Sequence, residues 1–270
     1  ILKHDNPDLP LDELPKFDDG GQVFVVDVGR SYEGLAAQYA DSRFLVFGND
    51  FKYSLNPFPN IVDFYGKEGE ANMLRAIIKC MAFPSGNVTD FQNSEILRIL
   101  EIVWEAKGQK ATITDVAEEC LRHEEHEIIR IGQQLRPFTD KGIYGQYFSD
   151  KYPPVKYDAR LIVCELQELD SDTHLLVTVL MTLVMSIQKQ MYLSGTDKRK
   201  LFLLDEGWKY IKADGAQAEQ LKFFSEFLEA GWRKFRKTNS AGVLITQDCN
   251  DGYASPAGRA IVNNSAWLLL

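Results

Sequence analysis

The chain has 270 residues, of which 45% are hydrophobic, 11% aromatic and 26% charged. Thirty basic residues against thirty-nine acidic ones leave a net charge of −9, which excludes a generally basic nucleic-acid coat though not a local basic patch. The four cysteines, Cys80, Cys120, Cys164 and Cys249, stand forty or more residues apart with no Cys-x-x-Cys pair. Neither a zinc knuckle nor a disulfide framework is expected, and the thiols read as reduced.

The first apolar run, residues 20–27, reads Gly-Gly-Gln-Val-Phe-Val-Val-Asp. A continuous run ended by a carboxylate suits a strand buried on both faces of a parallel sheet. A shorter run, Phe44-Leu45-Val46-Phe47, is expected as a further strand or an edge. From about residue 65 to 144 that signature gives way to helical spacing. Residues 71–83 carry Met73, Leu74, Ile77, Ile78 and Met81 on one side, and 95–104 place Ile96, Ile99, Leu100 and Val103 on one stripe. Asp115 with Glu118 three residues on resembles a capping box opening a third helix.

The buried-strand signature returns at 161–165, 201–205 and 243–247, separated by helical patterns at 175–192 and 216–237. The apolar stretch 175–187 contains Thr178, Thr182 and Ser186 and would reach only about 20 Å as a helix, against a hydrocarbon core of about 30 Å. A buried helix is expected there rather than a membrane span. No signal peptide is visible. The chain opens on Ile1 and stops at Leu270 inside an apolar run, so it reads as part of a longer protein.

Strands alternating with helices predict an α/β fold with right-handed crossovers and a doubly covered, mostly parallel sheet. An all-α insertion subdomain interrupts it. The expected division is 1–62 for the first part of the sheet domain, 63–150 for the insertion and 151–270 for the second part. Asn56-Pro57-Phe58-Pro59 and Tyr152-Pro153-Pro154 bound the insertion.

The segment Leu201-Phe202-Leu203-Leu204-Asp205-Glu206 puts an acid pair at the carboxyl end of a buried strand, where open α/β sheets hold their ligands. Nucleotide hydrolysis uses such a pair. One carboxylate, Asp205, holds a hydrated Mg2+, and its neighbour Glu206 orients or deprotonates the attacking water. The plainer alternative is a core strand ending in two solvated acids. Gln247 ends the run 243–247; it either senses a terminal phosphate or closes the strand onto a loop. The run Arg233-Lys234-Phe235-Arg236-Lys237 ends a long helix. Its cations either complement the helix dipole or present a guanidinium to a neighbouring subunit's phosphate.

The order of these motifs resembles a known family. Val23-Phe24-Val25-Val26-Asp27-Val28-Gly29-Arg30-Ser31-Tyr32, Asn56-Pro57-Phe58 and Tyr144-Gly145-Gln146-Tyr147-Phe148 are similar to the TraC-type conjugative transfer ATPases of type IV secretion systems. Leu203-Leu204-Asp205-Glu206-Gly207-Trp208 is similar to their Walker B strand. The run from Gly231 to Lys237, Thr246-Gln247-Asp248 and Asn264-Ser265-Ala266-Trp267 continue the likeness.

The resemblance implies a RecA-like motor domain with a helical insertion, an ATP hydrolase using ATP and Mg2+. It implies a hexameric or similar homo-oligomeric ring in the cytoplasm, peripheral to the bacterial inner membrane through other secretion subunits. Asp205, Glu206 and Gln247 would act within one subunit and Arg233 and Arg236 in trans, with Mg2+ on Asp205 through water and no metal coordinated directly by protein. Direct nucleic-acid binding stays open. The family's phosphate loop, Gly-x-x-x-x-Gly-Lys-Ser/Thr, occurs nowhere in the chain. In the family it precedes the strand corresponding to 23–27, so this chain alone is expected to bind ATP poorly or not at all.

Two rivals remain. A ring DNA translocase of the FtsK or HerA groups would turn basic residues toward a pore. A non-catalytic assembly module would use the sheet only as scaffold. Cys120, His123 and His126, three apart, read as part of a solvated acidic face with Glu124, Glu125 and Glu127 rather than as metal ligands. His174 reads as a cap or core group, and Trp104, Trp208, Trp232 and Trp267 as packing.

Overall fold

The computed structural model describes residues 21–66, 69–193, 198–206, 224, 228–229, 231–232, 235–246, 248, 250, 253 and 256–266. Five strands form one sheet: β1 (Gln22–Asp27), β2 (Ser42–Val46), β3 (Leu161–Glu165), β4 (Lys200–Leu204) and β5 (Ser240–Leu244). Their order is β2-β3-β1-β4-β5, and every pair is parallel. Val25 lies beside both Val163 and Leu203, and Asp27 beside Glu165. The α/β expectation holds.

The apolar runs have the cause assigned to them. The pleat turns Phe24 and Val26 to one face of the sheet and Val23 and Val25 to the other. Phe24 and Val26 join Ile162, Cys164, Phe202 and Leu204 in the main core. Val23 and Val25 join Leu161, Val163 and Ala36, with Tyr32, Leu201 and Leu203 packed alongside. β1 and β3 are therefore apolar at successive positions because both faces are covered.

The helices are α1 (Glu33–Ala36), α2 (Glu70–Ala82), α3 (Asp90–Lys107), α4 (Ile113–Leu121), α5 (His126–Leu135), α6 (Gly145–Phe148), α7 (Thr173–Leu193) and α8 (Pro256–Asn264). Five of them, α2 to α6, lie between β2 and β3. Leu74, Ile77, Ile78 and Met81 of α2 and Ile96, Ile99, Leu100 and Val103 of α3 are buried, as their spacing predicts. Trp104 stacks on Phe64 with ring centroids 5.2 Å apart, and Trp232 is buried against Phe202 and Phe235. Trp208 and Trp267 lie outside the described residues.

Three expectations are corrected. The strand expected at 243–247 is β5, which begins three residues earlier because its register is set by Lys200 beside Ser240. It is an outer strand among the described residues, with Val243 and Ile245 more than a third exposed. The box opening α4 is made by Thr112 and Asp115, not Asp115 and Glu118. Thr112 has the extended backbone a cap needs, and each residue accepts the other's main-chain amide.

Helix α7 runs 21 residues, about 31 Å, so length does not argue against a span. Burial does: 78% of its most apolar window is buried inside the fold. Thr178, Thr182 and Ser186 each donate a hydroxyl to the carbonyl four residues back, which satisfies them within the core. Asp172 caps this helix by accepting the Leu175 amide; of the two roles expected for His174, it takes the packing one, edge-on against Phe138 with its Nε2 3.2 Å from the Cys80 carbonyl.

Candidate functional site

Parallel strands bring their carboxyl ends together. At that edge β3, β1 and β4 are adjacent and end in acids: Glu165, Asp27, and the Asp205-Glu206 pair just beyond Leu204. The Asp205 amide donates to the Val26 carbonyl at 2.9 Å, so the acid pair sits directly beside Asp27. Asp27 and Glu165 are fully buried.

The loop that leaves β1 is tied to all three strands. Glu165 accepts the main-chain amides of Gly29 and Gln167 on Oε1 and of Arg30 on Oε2, at 3.2, 2.7 and 2.6 Å. Asp27 Oδ2 accepts the Ser31 amide at 2.7 Å. The Tyr32 hydroxyl donates to Asp205 Oδ2 at 3.0 Å, and the Glu206 amide donates to Asp205 Oδ1 at 2.9 Å. Arg30 and Glu206 both take left-handed backbone, with φ of 56° and 53°. That region is costly for residues other than glycine and persists only where surrounding contacts impose it. The Arg30 guanidinium faces Glu168 at 3.1 Å and Glu33 at 3.7 Å.

The electrostatics follow from this crowding. Burial pushes the Asp27 carboxyl up from 3.8 to about 6, helped by the Glu165 and Asp205 carboxylates and opposed by the Ser31 amide. Its Oδ1 is buried with no hydrogen-bond partner. The Tyr32 phenol is raised by burial and then by its bond to Asp205, so it is a donor at neutral pH.

A set of carboxylate oxygens carrying an unpartnered buried atom suits a hard divalent cation such as Mg2+. Among the described residues no group of three or more His, Cys, Asp or Glu could hold a metal directly. Cys120 and His123 fall on different sides of the end of α4 at Leu121, with Cys120 buried and His123 Nε2 3.2 Å from Glu95.

Of the other expected residues, Arg236 alone is among the described residues, and its backbone is not at this edge. Arg236 opens a 3-10 turn, Arg236–Thr238, that leads into the start of β5. There the Lys200 amide donates to the Asn239 carbonyl and Lys200 Nζ to the Thr238 carbonyl. The Arg236 backbone thus stands toward the amino edge of the sheet, the edge opposite to Asp205. Arg233 and Gln247 lie outside the described residues. Asp27, Glu165 and Tyr32 belong to the site and were not singled out from sequence, although both acids visibly end apolar runs.

Residues 108–270 match the family described as TraG P-loop domain. Over 271 aligned residues the chain is 31% identical to Protein TraC of Escherichia coli (strain K12), covering 94% of this chain and 29% of TraC. It thus spans less than a third of that relative's length. VirB4 of Thermoanaerobacter pseudethanolicus has a similar structure, with a TM-score of 0.72, 16% identity, and 91% of this chain and 68% of that one covered. The plasmid coupling protein TrwB, in a structure with ADP and Mg2+, gives a TM-score of 0.53 at 11% identity, covering 91% of this chain and 61% of that one. These two likenesses establish a RecA-like fold.

Proposed function

The chain belongs to the TraG P-loop domain family, and from that premise we propose that it is the motor part of an ATPase powering conjugative type IV secretion. The observation that carries this reading is the convergence of Asp205 and Glu206 with Asp27 and Glu165 at the carboxyl edge of a parallel sheet. That edge is where open α/β sheets bind nucleotides.

Asp205, oriented by donors on both oxygens, would hold a hydrated Mg2+ through its waters. Bound with ATP, the metal neutralises charge on the β- and γ-phosphates. Glu206 would accept the proton of the attacking water, and Gln247 would sense the terminal phosphate. Arg233 or Arg236 would reach the nucleotide of a neighbouring subunit in a homo-oligomeric ring. The position of Arg236 at the far edge from Asp205 supports action in trans. Residues 63–150 would form a helical insertion in the motor domain. The ring would sit in the cytoplasm against the inner membrane through other secretion subunits.

In the full-length protein, Glu206→Gln should keep nucleotide binding and lower turnover by roughly 10²–10⁴-fold, as for loss of a general base. Near wild-type turnover would remove Glu206 from the mechanism. This 270-residue chain, lacking the Gly-x-x-x-x-Gly-Lys-Ser/Thr loop, should show no calorimetric binding of Mg-ATP at millimolar concentration. Micromolar binding would reveal a second phosphate site.

A further inference from the structure

We propose that Tyr32 is a positioning residue for hydrolysis: its hydroxyl, held against Asp205 Oδ2, sets the direction in which that carboxylate meets the hydrated Mg2+. The inference rests on the assignment of Asp205 above and adds a residue to it. Tyr32 and Asp205 are 173 residues apart in sequence, and the bond between them joins the loop after β1 to the end of β4.

Three features make this contact suited to positioning. The Tyr32 ring packs against the smaller core, where Val25 and Val163 are buried, so the hydroxyl has little freedom. The backbone behind it is pinned at three successive amides, Gly29 and Arg30 to Glu165 and Ser31 to Asp27. Arg30 is held at φ 56° in doing so, a conformation with a cost that this network imposes. With Glu206 donating to Oδ1 and Tyr32 to Oδ2, each oxygen of Asp205 has one donor among the described residues. Each therefore keeps an acceptor site for a metal-bound water. A carboxylate fixed this way loses no orientation when the ion arrives, which is the purpose of a supporting contact.

Tyr32→Phe in the full-length ATPase removes the oxygen and keeps the ring. Its thermal midpoint should stay within about 2 °C of wild type, and metal-free nucleotide affinity should be unchanged. A hydrogen bond to a charged group is worth about tenfold or more. Accordingly the Mg2+ concentration for half-maximal turnover should rise about 3–10-fold and kcat fall about tenfold, with KM for the nucleotide little changed. Calorimetry should show a matching 3–10-fold loss of the affinity that Mg2+ adds to nucleotide binding. In an Asp205→Asn background the same change should have no further effect on that added affinity, because the two residues act as a unit.

A wild-type Mg2+ midpoint and kcat, beside a crippled Glu206→Gln, would overturn the role of Tyr32 alone. A lowered thermal midpoint with unmoved Mg2+ dependence would make Tyr32 a packing residue and also overturn it. If Glu206→Gln too turns over normally, the hydrolysis assignment has failed and the positioning role falls with it.

Discussion

Arg236 and Asp205 stand at opposite ends of the β4–β5 pair, the arginine entering β5 where Lys200 starts β4 and the aspartate just past Leu204. Five residues of parallel strand separate the two ends. That separation underlies the proposal that the arginine serves a neighbour's nucleotide.

Arg236→Ala, or failing that Arg233→Ala, should spare folding and nucleotide binding in the full-length protein. It should lower ATPase activity by roughly 10³-fold or more, as expected for an arginine supplied in trans. Mixing it with Glu206→Gln protein should restore some turnover, since mixed rings contain interfaces with both groups intact. If no mixing ratio recovers activity while mixed rings are confirmed by mass, the arginine works within one subunit.

Glu165 supplies its two oxygens to three amides on two loops. Glu165→Gln can keep the two bonds on Oε1, yet its amide nitrogen then faces the Arg30 N–H, a donor against a donor. Loss of that 2.6 Å bond in a buried setting should cost about 2–3 kcal/mol, measured by urea unfolding. A loss under 0.5 kcal/mol would mean that the loop is held mainly by other contacts.

Asp27 gives a pH-dependent prediction. Its carboxyl titrates near 6 in the fold against an ordinary value of 3.8, so the folded state binds more protons across that window. Stability therefore falls as pH rises from about 4 to about 6, and the full penalty of about 3 kcal/mol remains above it. Asp27→Asn removes the buried charge and keeps an acceptor for the Ser31 amide. In buffer with EDTA, its unfolding free energy minus that of wild type should grow with pH through this window and then level off. A difference independent of pH would show that Asp27 is not the titrating group.

Gly132 lies on the face of α5 packed on α4. Alanine is the better helix former by about 1 kcal/mol. A β-carbon here, however, would stand 2.8 Å from the Ala117 carbonyl oxygen and 2.9 Å from Leu121 Cγ. Forcing two packed helices apart costs about 1–3 kcal/mol, so the clash outweighs the propensity. Gly132→Ala should lower stability by about 1 kcal/mol net, and a rise in the melting temperature would contradict the close packing.

Legibility in the sequence followed burial. β1, β3 and the end of β4 were legible because covering both faces forces successive apolar residues, and Asp205-Glu206 stood out as acids breaking such a run. The start of β5 was not legible: Ser240, Ala241 and Gly242 carry no apolar signal, and Gly242 is small because the Trp232 ring lies where a β-carbon would go. The α4 cap was misplaced because an acid pair three apart imitates a box whose real start is set by the backbone of Thr112. Tyr32 was out of reach because its partner is 173 residues away, and no local pattern records which strands become neighbours.

The order β2-β3-β1-β4-β5 also has a consequence for how the chain is made. β1 finds no partner until β3 has emerged, about 140 residues later, roughly 7–30 s of synthesis at typical rates. Its valines and Phe24 wait exposed during that interval. Helices α3 to α5 touch mainly one another and α2, whereas α2 also packs on α7, and contacts that local form quickly. The helical segment should thus be ordered on the ribosome before the sheet exists. Hydrogen exchange on chains stalled near residue 175, which leaves α5 clear of the ribosome and β3 still inside it, should show protection in α3 to α5 and none in β1; early protection of β1 would mean that a transient, non-native partner shields it.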